Sequence, residues 1–292
     1  MNKIFNSVDL IAEIQWVIAI ILMILVFATI LFWIWNKISP SKLVDEMQIR
    51  TRSWWVMCFI FLFASLINPV VTYIALGFLS FFTLREIYSL LNLREMDRSV
   101  LFFCYICIPI QYYLAFKGYY TLFLIFIPVF MFIIIPFLLV LTGETKDIIR
   151  SMCILPTSLM LGVFGISHLA LLISFPEMNT NGVSGKALLL FLIFITEAND
   201  IMQFVWGKIF GKTKILPNVS PNKTWEGFIG GVLSTTVIGY FMGFLTPLSS
   251  LQLIIISPSI AILGFMGDAI LSAVKRDFGV KANKIIIKDI KQ

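Results

Sequence analysis

Acids, cations and hydroxyls gather at three places in the last third of an otherwise apolar chain. Glu197, Asn199, Asp200 and Gln203 close one apolar run. Ser220 to Gly231, SPNKTWEGFIGG, opens another, and Gly267-Asp268 leads through Ser272 into Lys275, Arg276, Asp277 and Lys281. Glu197, Asp200 and Gln203 fall at i, i+3 and i+6, close to one helix face. Asp268, Ser272 and Lys275 fall at i, i+4 and i+7, again one face. Ionisable groups at membrane depth cost about 2.5 to 3.5 kcal/mol each, so such groups default to a functional reading; for Glu197, a place in the headgroup zone near Trp206 weighs equally. Carboxylates with lysines, and with no His or Cys ligand nearby in sequence, suit Mg²⁺ carrying phosphates better than Zn²⁺. Phosphoryl chemistry asks for that set: a metal to neutralise phosphate oxygens, and cations to hold the remainder.

The elements that position these groups are helices. Ser220-Pro221 reads as a helix start, with Ser as cap and Pro at the first helical position. Its free N–H groups would face an anion, with Lys223 and Thr224 beside them. Gly227, Gly231, Thr235, Gly239 and Gly243 then recur every four residues, a stripe that lets another helix approach closely.

Apolar residues make up 59% of the 292, charged residues 13%, and mean hydropathy is +0.96. That excludes a soluble fold and predicts an all-α, polytopic integral membrane bundle. Spans are expected at Ile14 to Trp35, within 54–84, and at Val100 to Phe116, Tyr119 to Leu141 and Met152 to Phe175. Ala187 to Trp206, Trp225 to Leu245 and Leu251 to Leu271 complete the set. The block at 54–84 breaks at Asn68-Pro69, so there are about nine transmembrane helices, or eight if that block crosses once. With nine, 19 of the 22 Lys and Arg residues share one side, and only Lys3, Lys117 and Lys186 lie opposite. The positive-inside rule then makes that side cytoplasmic, the N-terminus external and the candidate site cytoplasm-facing. This asymmetry and anionic lipid account for the net charge of +6 without nucleic acid. The first span reads as a retained anchor. Cys58, Cys104, Cys107 and Cys153 all lie in apolar runs and read as helix packing, and His168 as a polar side chain bonded to a neighbouring helix.

Asn199-Asp200 with Gln203, Ser220-Pro221-Asn222-Lys223-Thr224-Trp225-Glu226-Gly227, and Gly267-Asp268 through Lys281 resemble, in order and spacing, the motifs of the phosphatidate cytidylyltransferase (CDP-diacylglycerol synthase) family. The resemblance covers about the last hundred residues. It implies that phosphatidic acid attacks the α-phosphorus of CTP, assisted by two metal ions including Mg²⁺, in the cell's inner membrane. It further implies metal ligation by Asp268, Asp200 and Asp277, with Asp268, Lys275 and Asp277 carrying catalysis. Ser220, Lys223 and Thr224 would hold nucleotide phosphates, Asn199 and Gln203 would bind substrate, and Lys275, Arg276 and Lys281 would hold pyrophosphate or the lipid phosphate. Partners are CTP, phosphatidic acid and membrane lipids, with a homodimer left open.

The chain departs from the family after Lys281. In place of an acidic residue, a His-Gly-Gly turn and an Asp-Arg-x-Asp pair stands Ala282 to Gln292, so a C-terminal truncation is expected. The expected organisation is a transmembrane scaffold at 1–186, a site-bearing part at 187–281 and an atypical tail at 282–292. Two alternatives remain open: an inactive relative acting as a binding or interaction protein, and a transporter for an anionic substrate. The absence of an inverted repeat and the gathering of polar groups on one face disfavour the transporter.

Overall fold

The computed structural model describes residues 19 to 277 apart from 20, 24, 68, 92 and 175–184. Lys281 and the tail at 282–292 lie outside the described residues. The chain is a polytopic all-α membrane bundle. Its helices are α1 (Ile21–Ile38), α2 (Lys42–Ile67), α3 (Pro69–Leu90), α4 (Arg98–Lys117), α5 (Tyr120–Ile125), α6 (Phe132–Leu141), α7 (Ile148–Leu159), α8 (Gly165–Ser174), α9 (Gly185–Ile209), α10 (Trp225–Phe241) and α11 (Ser250–Asp277). A short antiparallel hairpin, β1 (Lys214–Leu216) and β2 (Ser220–Thr224), precedes α10.

A π-turn at Phe126–Met131 joins α5 to α6, and another at Met160–Phe164 joins α7 to α8. Counting each joined pair once, the described residues form nine helical rods, in the nine places where the sequence predicts apolar segments. Seven are long and apolar enough to cross a membrane, α2 and α10 being the exceptions. α2 carries Lys42, Asp45, Glu46, Arg50 and Arg52 in its first half. That leaves residues 53–67, about 22 Å of helix, against a hydrocarbon core of roughly 30 Å. α10 has 17 residues, beginning at Trp225 and ending at Phe241, before the 3₁₀ turn at Gly243–Leu245. The block at 54–84 divides as expected, with α2 ending at Ile67 and α3 opening on Pro69, whose missing N–H costs nothing in a first turn.

The chain forms two compact units, one with α1 to α8 and one from Ala187 onward. In the first, Phe123, Ile127, Ile135, Leu139, Leu155 and Leu159 are fully buried. Several of its buried polar groups are paired, as an apolar medium favours, although the Gln111 Oε1 is buried without a partner. Gln111 donates to the Phe123 carbonyl at 3.2 Å, and the Tyr112 hydroxyl reaches the Leu76 carbonyl at 2.8 Å. Arg94 grips the fully buried Asp97 through Nε and Nη2, and its Nη1 donates to the carbonyls of Glu144 and Lys146 at 2.9 and 2.8 Å. Ser151 donates to the same carboxylate at 2.6 Å. The α3–α4 and α6–α7 connections are thereby tied together.

Cys104 and Cys107 are buried free thiols, in line with packing. His168 corrects the sequence reading: its Nδ1 pairs with the Phe164 carbonyl one turn earlier at 2.7 Å, in its own rod, while its ring packs edge-on against Phe123. The π-turn supplies the difference, since the widened backbone frees a carbonyl within the segment.

Candidate active site

The second unit brings the three polar stretches to α9, the hairpin with the start of α10, and α11. Ser220 to Thr224 does not begin the helix, contrary to expectation. It forms β2, paired with β1 so that Lys214 opposes Thr224 and Leu216 opposes Ser220. The cap is Thr224, whose extended backbone ends the strand and whose Oγ1 accepts the Gly227 N–H at 3.2 Å. The physical reason is a hairpin partner: β1, four to ten residues upstream, satisfies the backbone that a Ser-Pro start would have wound into a helix. Thr224 is buried and committed to this cap, so it orders the turn.

Two residues into α10, Glu226 does what sequence reading overlooked. Its carboxylate accepts the backbone N–H groups of Lys212 at 3.1 Å and Thr213 at 3.2 Å, and the Trp225 N–H donates to the Thr213 carbonyl at 3.0 Å. A carboxylate in the first turn also suits the positive end of the helix. The hairpin base is therefore clipped to the helix it feeds. The available signal was Glu at the second helical position, legible only once Thr224 is recognised as the cap.

The decisive contact joins two of the three stretches. Lys223 on β2 extends to α11, where its Nζ lies 2.6 Å from Asp268 Oδ2 and 4.6 Å from the centre of the Phe265 ring. The Lys223 side chain is 16% exposed and that of Asp268 52%. Eight residues along α11, Arg276 Nε donates to the Val219 carbonyl at 3.2 Å and fixes the hairpin turn to the helix end. Ser272 is half-buried between them, and Lys275 and Asp277 stand exposed at the C-terminal end of α11.

From α9, the fully buried Asn199 ties the unit together. Its Nδ2 donates to the Ala261 carbonyl of α11 at 3.2 Å, and its Oδ1 accepts from Thr235 of α10 at 3.4 Å. The small-residue stripe makes this approach possible: Gly227, Gly231, Thr235 and Gly239 are the buried residues of α10. A Cβ on Gly231 would collide with Gln203, and one on Gly239 with Ser257. Gln203 keeps a buried Nε2 with no hydrogen-bond partner. Asp200 lies exposed on α9 and Glu197 is half-buried.

Among the described residues no three His, Cys, Asp or Glu side chains gather at one place. Helix geometry explains part of this. Nine residues separate Asp268 from Asp277, about 13 Å along α11 and half a rotation around it. An exposed carboxylate beside a lysine instead matches the way Mg²⁺ is held, by one or two carboxylates with substrate phosphates supplying other oxygens.

Comparisons with known proteins place the chain in a family. Residues 48–287 match the Cytidylyltransferase family. The chain belongs to the cytidylyltransferase family. It is 36% identical over 269 residues to Uncharacterized protein YnbB of Escherichia coli K12, covering 90% of this chain and 87% of that one. Phosphatidate cytidylyltransferase of Chlamydia pneumoniae is 41% identical over 103 residues, 32% of this chain and 33% of the enzyme. The Aquifex aeolicus enzyme of the same name is 38% identical over 93 residues, again 32% of this chain and 35% of the enzyme. The chain thus aligns with about a third of the length of these two enzymes. Nucleotidyl transfer in a membrane is the activity type that this family membership carries.

Proposed function

We propose that the chain transfers the cytidylyl group of CTP to phosphatidic acid. A phosphate oxygen of the lipid bonds to the α-phosphorus of CTP, the bond from that phosphorus to the bridging oxygen of the β-phosphate breaks, and pyrophosphate leaves. CDP-diacylglycerol stays in the membrane. The Lys223–Asp268 pair is the observation that carries this reading, because it joins the two motifs richest in phosphate-binding chemistry. The similarity to phosphatidate cytidylyltransferases supports the choice of lipid.

Mg²⁺ would be held by Asp268 together with substrate phosphates, with Asp200 and Asp277 as candidates for a second ion, and it would draw charge from the phosphate oxygens. Lys223 is within reach of both Asp268 and an arriving phosphate, so its ammonium can neutralise either. Ser220 lies on the same strand. Lys275, Arg276 and Lys281 are assigned to pyrophosphate or the lipid phosphate, and the amide of Gln203 to the nucleotide. Charge on that scale stabilises the transfer mainly by positioning and electrostatics. A cytoplasmic mouth in the inner membrane would meet CTP where it is made.

The test is incorporation of α-labelled CTP into lipid by the purified chain in detergent with phosphatidic acid and Mg²⁺. Labelled lipid that disappears with EDTA and in Asp268→Asn is expected. Its absence from a folded wild-type protein that still binds CTP would overturn the proposal.

A further inference from the structure

We infer that the groove between α3 and α4 binds one acyl chain of an anionic phospholipid from the surrounding bilayer, with the lipid phosphate at Lys117. The site belongs to the first unit and is independent of the nucleotide chemistry. The groove has a volume of about 510 Å³, within the roughly 300 to 1,000 Å³ usual for ligand sites, and aromatic rings dominate its lining. Tyr73 and Phe116 meet edge-on at one end, 5.5 Å between ring centres, and Phe81 and Tyr105 meet at the other, at 5.2 Å.

Its length selects the occupant. The lining runs from Val70 to Phe81 on α3 and from Tyr105 to Phe116 on α4. Eleven residue steps of helix rise about 16 Å, close to one leaflet's share of a hydrocarbon core roughly 30 Å thick. A helix of a second copy would need a seam through the whole core, whereas one lipid chain fills half of it. The floor is made for a chain and not for a polar group. Gly77 sits against the Tyr112 ring, which a Cβ there would meet at 3.8 Å, and the Tyr112 hydroxyl is already engaged by Ser80 at 2.9 Å and the Leu76 carbonyl.

Charge selects the headgroup. Lys117 is the last residue of α4, and its Nζ lies 6.0 Å from the ring centre of Tyr113 and 5.9 Å from that of Phe116, both lining residues. An ammonium held over the rings at the interfacial end of a one-leaflet groove stands where the phosphate of a lipid whose chain lies in that groove must sit.

Native mass spectrometry of the full chain, released from detergent containing equal amounts of phosphatidylglycerol and phosphatidylethanolamine with matched chains, tests this. Wild type should retain phosphatidylglycerol in excess. Lys117→Gln should lower bound phosphatidylglycerol about fivefold, the loss expected for one interfacial cation, and leave phosphatidylethanolamine unchanged. Lys117→Arg should restore it. Gly77→Leu should remove both lipids by filling the floor; if that variant does not fold, the surface Lys117 pair still decides. Equal retention of the two lipids by wild type, or no change in Lys117→Gln, would overturn the inference. So would a dimer mass that Gly77→Leu abolishes, since the groove would then hold a second copy.

Discussion

Breaking the Lys223–Asp268 pair should separate stability from activity. The two charged atoms are 2.6 Å apart, but Asp268 is 52% exposed, so water screens the attraction. Exposed pairs contribute about 0.2 to 1 kcal/mol. Asp268→Asn keeps an oxygen that can accept from Lys223 and should stay under about 1 kcal/mol. Lys223→Met also loses the contact over Phe265, worth about 0.5 to 1 kcal/mol, giving about 1 to 2 kcal/mol altogether. At about 2 to 4 °C per kcal/mol for a chain of this size, Tm should fall by less than about 8 °C in either variant. Cytidylyl transfer should fall about 100-fold or more in Asp268→Asn, the scale on which metal sites lose function. The double variant Lys223→Asp/Asp268→Lys should regain Tm and remain inactive, because the carboxylate has moved to the wrong element. Near-normal transfer by the swapped protein, or a collapse of Tm by tens of degrees in Asp268→Asn, would refute the reasoning and make the pair a structural latch.

Other expectations concern the surroundings of the site. Arg94→Ala should strand the buried Asp97 with Ser151 as its remaining side-chain partner. That should cost about 3 kcal/mol, the low end for a broken buried pair, and lower Tm by about 6 to 12 °C. Gly239→Val should force α10 from α11 at Ser257 and cost at least about 1 to 3 kcal/mol, read by thermal unfolding. Glu226→Ala should release the hairpin base, so limited trypsin should cut after Lys212 or Lys214 severalfold faster while Tm changes little.

Much of this was legible because local chemistry decided it. The break at Asn68-Pro69 follows from proline's missing N–H, and the period-four stripe in α10 from the need of packed helices for small residues. The polar motifs of α9 and α11 lay on the helices their spacing suggested, and Lys223 and Asp268 met although 45 positions separate them. What escaped notice depends on partners that only folding brings together. Ser220 to Thr224 became a strand because Lys214 to Leu216 was available to pair with it, and Glu226 acquired its task only from that pairing. Arg94 and Asp97 carry no local signal of their pairing, and only folding brings Ser151 and the Glu144 carbonyl to them. The π-turns carry no periodic signature, since a single extra residue in a uniformly apolar run changes no pattern.

The twofold attachment of Asn199 imposes an order on biogenesis. Thr235 lies 36 residues downstream of it and Ala261 62. At about 5 to 20 residues per second, the ribosome needs roughly 2 to 7 seconds to deliver the first partner and 3 to 12 for the second. Through that interval α9 must enter the bilayer with a bare amide, which membrane insertion tolerates poorly. A nascent chain arrested before Thr235 should therefore leave α9 loosely held and extractable, and one arrested beyond Ala261 should not. Assembly of the unit is thus set by when its last helix is translated.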